Sequence, residues 1–373
     1  MGTWTHEDGA QSTARSMGTV RYSGAAHFRQ RVLLATLTGR SVRIDGIRAD
    51  EEEVGLRDYE ASFLRLLEKV VNGCEIVINE TGTALRYRPG IIVGGEGLSH
   101  DCGTSRAIGY FVQPLLALAP FAKRGLSLTL RGVTNGPDDP SVDVLRTVTL
   151  PLLRHFGING AALHVAKRGA PPLGGGEVKL ELQPLRQLEP ISLLDAGKVR
   201  RVRGVAYGTK VSPQMANRLV DGARKVLNHY LPDVWVYTDV HKGATSGASP
   251  GFGVALVAET TSGALLSSEM CGYAGALPED LGLTCADGLL EQVRGGGVVD
   301  AANQPLVLTL MCLGPEDVSR VRLGDELSDA TVGALRLLKE FLGVTFRIET
   351  DTDGSLVLAC RGCGFKNLSQ RVT

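Results

Sequence analysis

The chain has 373 residues, of which 43% are hydrophobic and 21% charged. That is enough apolar side chain to offset chain entropy, so disorder along the whole length is excluded. Forty basic residues cancel forty acidic ones, which excludes a global field for nucleic acid and leaves only local patches.

At roughly 150 residues per domain there is room for two or three domains. Glycine is over-represented, with 47 residues, about 13% against a usual ~7%, and without the period of collagen. Cysteines stand at 74, 102, 271, 285, 312, 360 and 363. That odd, scattered set suits a reducing compartment better than a disulfide framework. Residues 1–20 are polar, lack an apolar signal core and read as a flexible tail. No run reaches ~18 apolar residues, so no transmembrane helix and no membrane partner is expected.

In chain order, the first clear element is the stretch from Leu56 to Val71. Phe63, Leu66, Leu67, Val70 and Val71 recur on one helical face. Asn72-Gly73 supplies C-cap chemistry, and the run from Cys74 to Ile78 reads as a strand. The same unit recurs as a helix around 107–122 before a strand at 126–130. It recurs again as a helix around 142–156 before 162–165, and as a helix around 330–342 before 344–348. Four helix–Gly–strand units predict a repeated α/β building block.

The middle departs from this pattern. Residues 184–194 read as loop, Lys198–Arg203 as a basic run, and a strand begins at Val205. Ser212-Pro213 opens a long helix through Tyr230, with Ser as N-cap and Pro at the first helical position. Strands at 234–238 and 253–258 follow, and Pro278-Glu279-Asp280 opens another helix. The expected fold class is α/β (α+β). Repeated helix–sheet units would form a large domain over 21–185 and 289–373, with a smaller inserted α/β domain over 186–288.

Motifs for chemistry are sparse. The sequence holds no Walker A loop, no GxSxG elbow, no HExxH, and no GxGxxG between a strand and a helix. Cys360-Arg361-Gly362-Cys363 is a lone CxxC, and zinc needs four ligands. It therefore reads as structural, and no metal is expected. Lys167-Arg168 precede a Pro-Pro turn and Gly174-Gly175-Gly176. Such a stretch suits either an anion cradle or a hairpin loop with solvated charges. Arg29, Arg31, Arg40, Arg43, Arg48 and Arg57 fall within thirty residues, offset before Asp50 only by Asp45. They suit either a phosphate-binding surface or a solvated face. The run Lys198–Arg203 could equally serve RNA, a partner, nuclear import, or an exposed strand edge.

Several segments carry a resemblance. They are Phe28–Arg40, Gly46–Asp50, Gly55–Glu60, Arg131–Asn135, Lys167–Val178, Val211–Arg218, Ser249–Gly253 and Gly362–Ser369. Together, from about Val20 to the C-terminus, they resemble the RNA 3′-terminal phosphate cyclase superfamily, and within it the cyclase-like, ribosome-biogenesis branch. The resemblance implies a large domain of repeated units with a small insertion. It also implies a nuclear, nucleolar role in early pre-rRNA processing and small-subunit biogenesis, within the small-subunit processome and beside a large nucleolar ribosome-assembly GTPase. An activity proposed within that branch, endonucleolytic cleavage of pre-rRNA, is the alternative.

Departures from the cyclase pattern argue against cyclase chemistry. Asp300 stands where the resemblance places the nucleophilic histidine, and a carboxylate repels phosphate. Tyr22 stands where cyclases carry a metal-binding acid, and Leu173 where they carry an arginine. No catalytic residue and no cofactor is therefore expected. Arg29, Arg31, Arg48, Arg57, Lys167 and Arg168 remain as candidates for binding RNA phosphate or an acidic partner. For the endonuclease alternative the candidates are Arg336 and Lys339. Glu340 is expected to pair with Arg336 at i,i+4.

Overall fold

The computed structural model describes residues 18–370. Of the expected tail, residues 1–17 lie outside the described residues, and Val20 already belongs to a strand.

Three copies of one βαβαββ unit build most of the chain. The first runs β1 (Val20–Ser23), α1 (Phe28–Thr38), β2 (Val42–Asp45), α2 (Asp58–Val70), a short β3 (Val71–Asn72), β4 (Glu75–Ile78), β5 (Leu85–Arg88) and a short β6 (Ile91–Ile92). Its sheet has the order β1-β2-β5-β4, parallel between β1 and β2 and antiparallel beyond. β3 and β6 form a small antiparallel ribbon beside it. The second copy runs β7 (Gly95–Asp101), α3 (Ile108–Leu118), β8 (Leu126–Gly132), α4 (Val142–Val144), α5 (Leu150–Leu153), β9 (Ala162–Lys167) and β10 (Gly176–Leu182). Its order, β7-β8-β10-β9, is the same.

The third copy opens with β11 (Ser192–Leu193) and is then interrupted. The interruption holds β12 (Val199–Thr209), α6 (Pro213–Leu227), β13 (Val234–His241), β14 (Gly251–Thr260), β15 (Leu265–Cys271) and α7 (Pro278–Arg294). The copy resumes with α8 (Gln304–Leu313), β16 (Val318–Leu323), α9 (Asp329–Leu342), β17 (Arg347–Thr350) and β18 (Leu356–Arg361), in the order β11-β16-β18-β17.

The repeat is thus threefold, with a unit longer than helix–Gly–strand. Three of the four expected units are second halves of a copy, and the one at 107–130 is a first half. The first halves built on α1 and α8 escape notice because those helices are buried on nearly every side and show no polar stripe.

The interrupting segment forms its own sheet, β13-β12-β14-β15, with α6 and α7 packed on one face. The other face meets the second copy where Ala255 and Val257 touch Val144 and Val148. The expected boundaries shift at both ends. Residues 192–193 pair with β16, and 288 falls inside α7.

Local chemistry accounts for the helix ends. Ser212 and Ser328 accept hydrogen bonds from the first-turn amides of α6 and α9. Gly343 closes α9 with φ 70°, a conformation that needs glycine. α2 stops because Val71 turns extended into β3, so the turn at Gly73 follows β3 rather than capping the helix. The helix expected over 142–156 is broken. Pro151 has no amide to donate, and Leu150 instead bonds the Leu145 carbonyl in a π turn. The basic run at 198–203 lies largely within β12 rather than ahead of it.

Candidate functional site: an arginine-lined cleft and a sealed joint

First turns of α1, α2, α3, α8 and α9, drawn from all three copies, line one open cleft of about 260 Å3. Each brings the positive end of its dipole near the cleft. Arg29, Arg48 and Arg106 enter it with His27, Tyr59, Glu60 and Tyr110. An adjoining recess of about 210 Å3 shares Arg29, Gln30, Pro305 and Ala330 and reaches Ala301 and Ala302.

The three arginines differ in their partners. Arg48 forks onto the buried Glu60 at 2.7 and 2.8 Å, and that hydrogen-bonded pair raises its pKa. Arg106 forks onto Asp139 at 2.6 and 2.7 Å, again with a raised pKa, and lies over the rings of Tyr59 and Tyr110. Arg29 meets no carboxylate among the described residues. It donates to the Tyr110 carbonyl at 2.8 Å and the Gln113 amide oxygen at 3.0 Å, and its guanidinium stacks 4.5 Å from the Tyr110 centroid. Burial pushes its pKa down, the mark of a cation short of a counter-charge. His27 caps α1 in the left-handed region at φ 54°. Burial, helped by Arg31 and Arg336, lowers its pKa and favours the neutral imidazole.

The remaining expected anion residues do not join this cleft. Arg31 lies under Tyr22, 4.1 Å from the ring centroid, and donates to the Gly24 carbonyl. Arg57 stands outside, held by Glu53 at 2.5 Å and Glu51 at 3.1 Å. Lys167 is exposed near the end of β9.

Arg168 is buried, with 1% of its side chain exposed, and is saturated by acids. It bonds Asp143 at 2.7 and 2.8 Å and Asp239 of β13 at 2.7 Å, and it lies over Tyr207. Burial opposes the charge of Asp143, but Arg168 holds that carboxyl below its ordinary range. Such an arginine has no face left for phosphate.

The glycines after it are no cradle either. A Cβ on Gly174 would lie 3.0 Å from the Gly132 backbone, and one on Gly247 would lie 2.2 Å from the Gly174 carbonyl. The amides of Gly174 and Ala248 bond the carbonyls of Ala170 and Gly174. This stretch is the joint that fastens the small sheet to the second copy.

The three departure positions differ in exposure. Asp300 is 2% exposed, and its carboxylate accepts from the amide and hydroxyl of Ser267 on β15. It also accepts from the Asn303 amide at 3.1 Å and side chain at 2.7 Å. Burial raises its pKa, and these four bonds oppose the shift. It ties the small sheet to the start of α8. Tyr22 donates to Glu340 at 2.5 Å and stacks on Phe341, and burial raises its pKa far above the ordinary phenol. Leu173 is 65% exposed, with its amide on the Ser249 hydroxyl.

On α9, Arg336 and Lys339 are exposed. The expected Arg336–Glu340 pair is not among the ion pairs of the described residues, because Glu340 turns to Tyr22. Cys360 contacts Cys312, whose carbonyl accepts from the Cys363 amide at 2.8 Å. The described residues hold no metal-type cluster of three or more such ligands. Among them, no helix is long and apolar enough to cross a membrane.

Sequence reasoning missed His27, Arg106, Tyr59 and Tyr110. The available signal was position: each sits in or just before a helical first turn, where three repeats would converge.

Residues 20–348 match the family model described as RNA 3′-terminal phosphate cyclase. A Bos taurus protein named RNA 3′-terminal phosphate cyclase-like protein is 52% identical over 366 residues, covering 94% of this chain and 98% of the relative. Proteins named for rRNA processing in Schizosaccharomyces pombe and Saccharomyces cerevisiae are 45% and 40% identical. Each covers 94% of this chain, which in turn covers 98% and 97% of them.

Proposed function

The chain belongs to the RNA 3′-terminal phosphate cyclase family, and from that premise we propose that it is a non-catalytic ribosome assembly factor. In this reading it serves early pre-rRNA processing and 40S subunit biogenesis in the nucleolus. It acts with a large nucleolar GTPase in the small-subunit processome, and it needs no cofactor. The names of the fungal relatives support the rRNA-processing role.

The observation that carries the non-catalytic reading is Asp300. Covalent nucleotidyl transfer needs an exposed, neutral nucleophile in line with the α-phosphate. Here the position is a buried carboxylate whose oxygens accept four hydrogen bonds. Arg29 leaves the cleft able to hold an anionic group of RNA or of a partner without a covalent step.

Two experiments test this. Treatment with ATP and manganese followed by intact-mass spectrometry should show no AMP adduct; a stable adduct overturns the reading. Depletion of the protein should deplete 18S rRNA and accumulate its early precursors, and the purified chain should co-elute with the GTPase. Separate elution at micromolar concentration counts against that partner.

A second reading, an endonuclease cutting pre-rRNA, is favoured by one observation. Arg336 is without its expected carboxylate, and its charge helps depress the pKa of His27 at the cleft. A neutral imidazole beside a cation suits metal-free attack by a ribose 2′-hydroxyl. Site-specific cutting of a pre-rRNA fragment, lost in Arg336→Ala and Lys339→Ala, would promote this reading over the first.

A further inference from the structure

The interrupting sheet leaves part of one face uncovered. Its helices cover the opposite face, and on this one Ala255, Val257 and Leu265 meet the second copy, as do Tyr207 and Asp239 through Arg168. The first half of β13, ahead of Asp239, stands free. Trp235 is 53% exposed and Tyr237 57%, although both are large apolar groups on an ordered strand. They point the same way because they are two residues apart. Their rings form an edge-to-face pair with centroids 6.0 Å apart, and the Arg224 guanidinium lies 5.8 Å from the Trp235 centroid. In the parallel register Arg203 neighbours Trp235 on that face, held in place by a fork onto Asp233 at 2.8 and 2.9 Å.

The segment that builds it, which includes α6, is also rich in cations. Between Lys198 and Lys242 the sequence has nine lysines and arginines against three carboxylates, in a chain whose formal net charge is zero, although Glu259 answers Arg200 and Arg201 and Glu279 answers Arg218. Lys198, Arg224 and Lys225 have no carboxylate partner among the ion pairs of the described residues.

We infer that the β12–β13 face binds single-stranded RNA, with Trp235 and Tyr237 as stacking platforms for successive bases and the flanking cations following the backbone. This rests on the reading that the chain works on pre-rRNA and gives that reading a surface distinct from the cleft. Single-stranded RNA fits better than the other occupants. An acidic peptide would use the cations and leave two exposed rings unmatched. A strand added to the β13 edge would use its backbone and not its face. Duplex RNA hides its base faces. Only unpaired bases offer both a flat π-surface for each ring and a phosphate for each cation.

Trp4 and Trp235 are the two tryptophans, so Trp4→Phe leaves Trp235 as the sole reporter in the full-length chain. Titration with an oligouridylate of about eight nucleotides should quench its fluorescence saturably. Trp235→Ala and Tyr237→Ala should each weaken binding, followed by anisotropy of labelled RNA, about tenfold. Tyr237→Phe should retain binding. Arg224→Gln with Lys225→Gln should flatten the salt dependence by about 0.7 per cation removed.

Equal quenching by duplex RNA, quenching by polyglutamate but not by RNA, or concentration-dependent dimerisation abolished by Trp235→Ala each overturns the inference. So does binding unchanged in both alanine variants. Complementation of depleted cells separates this failure from failure of the parent reading. If the double alanine variant restores 18S rRNA fully, the inference falls and the processing role stands. If wild-type chain binds the oligouridylate but depletion leaves 18S rRNA intact, the binding face stands and the processing role falls.

Discussion

Two arginine sites in this chain look alike in sequence and behave as opposites in the fold. Around Arg168, the guanidinium is buried and answered: two carboxylates from different elements close on it, and glycines let three backbones touch. Around Arg29, the cleft is open and the guanidinium rests on a ring, a carbonyl and an amide oxygen. The first is a joint, and the second leaves a guanidinium with no carboxylate partner among the described residues. A basic residue near glycines says little about binding until the carboxylates across the fold are counted. A cation can hold parts of a fold together as readily as it holds a ligand.

Breaking the joint should give the largest effect. Arg168→Met leaves Asp143 buried without its partner, and removing one member of a buried pair costs about 3–5 kcal/mol. Chemical denaturation should show that loss, with the small sheet detaching in an earlier phase. Arg168→Lys should fall between, because an ammonium cannot fork onto Asp143 and still reach Asp239. Loss of less than about 1 kcal/mol for the methionine variant would mean that the joint is held elsewhere.

Asp300 belongs to the same joint, and its removal ranks second. Asp300→Ala strands donors on Ser267 and Asn303, which costs about 2–3 kcal/mol in thermal or denaturant unfolding. Asp300→His should not gain an AMP adduct, since an imidazole there would occupy a closed pocket. An adduct would place the position at a reacting centre and erase the distinction drawn between joint and cleft.

The joint was also the part least legible in the sequence. Helices with one apolar stripe, such as those at 58–70, 213–227 and 329–342, announced themselves through periodicity and through Ser212 and Ser328 as caps. α1 and α8, buried on nearly every side, did not, so three long repeats read as four short ones. The partners of Arg168 lie 25 residues back and 71 residues ahead. No local spacing reveals such pairings, and the same blindness grouped Arg168 and Lys167 with Arg29. The CxxC shows two thiols in sequence, but the contact of Cys360 with Cys312 depends on packing between α8 and β18.

A third test probes the joint through pH. Glu269 on β15 accepts from the Ser141 amide at 3.0 Å, and burial, with Asp143 and Asp300 adding repulsion, pushes its pKa up to about 7. The folded state therefore binds this proton more tightly than the unfolded chain, whose value is 4.5. Stability is fully present below that value and falls as pH rises towards 7, above which the loss is constant. Glu269→Gln should remove that slope and gain about 1–2 kcal/mol at neutral pH relative to wild type, a figure reduced for partial exposure. Denaturation midpoints at pH 5 and pH 8 would show it. A wild-type midpoint flat over that range would mean that Glu269 is charged and answered, like the other acids of the joint.

The smallest change in stability, and the most informative about the cleft, is expected at Arg29. Its removal strands no carboxylate, so Arg29→Gln should cost no more than about 1 kcal/mol. Ligand response should change far more. Inorganic phosphate that binds only the folded state stabilises by RT ln(1 + [L]/Kd), or about 1.4 kcal/mol at tenfold excess over Kd. Wild-type protein should show that rise in Tm, and Arg29→Gln should lose most of it. Arg57→Gln should keep it, because Arg57 is already claimed by Glu51 and Glu53 outside the cleft. If Arg29→Gln responds to phosphate as wild type does, the unanswered cation is not the receptor. The contrast between an open site and a closed one would then be a difference in packing alone, with no bearing on what the protein binds.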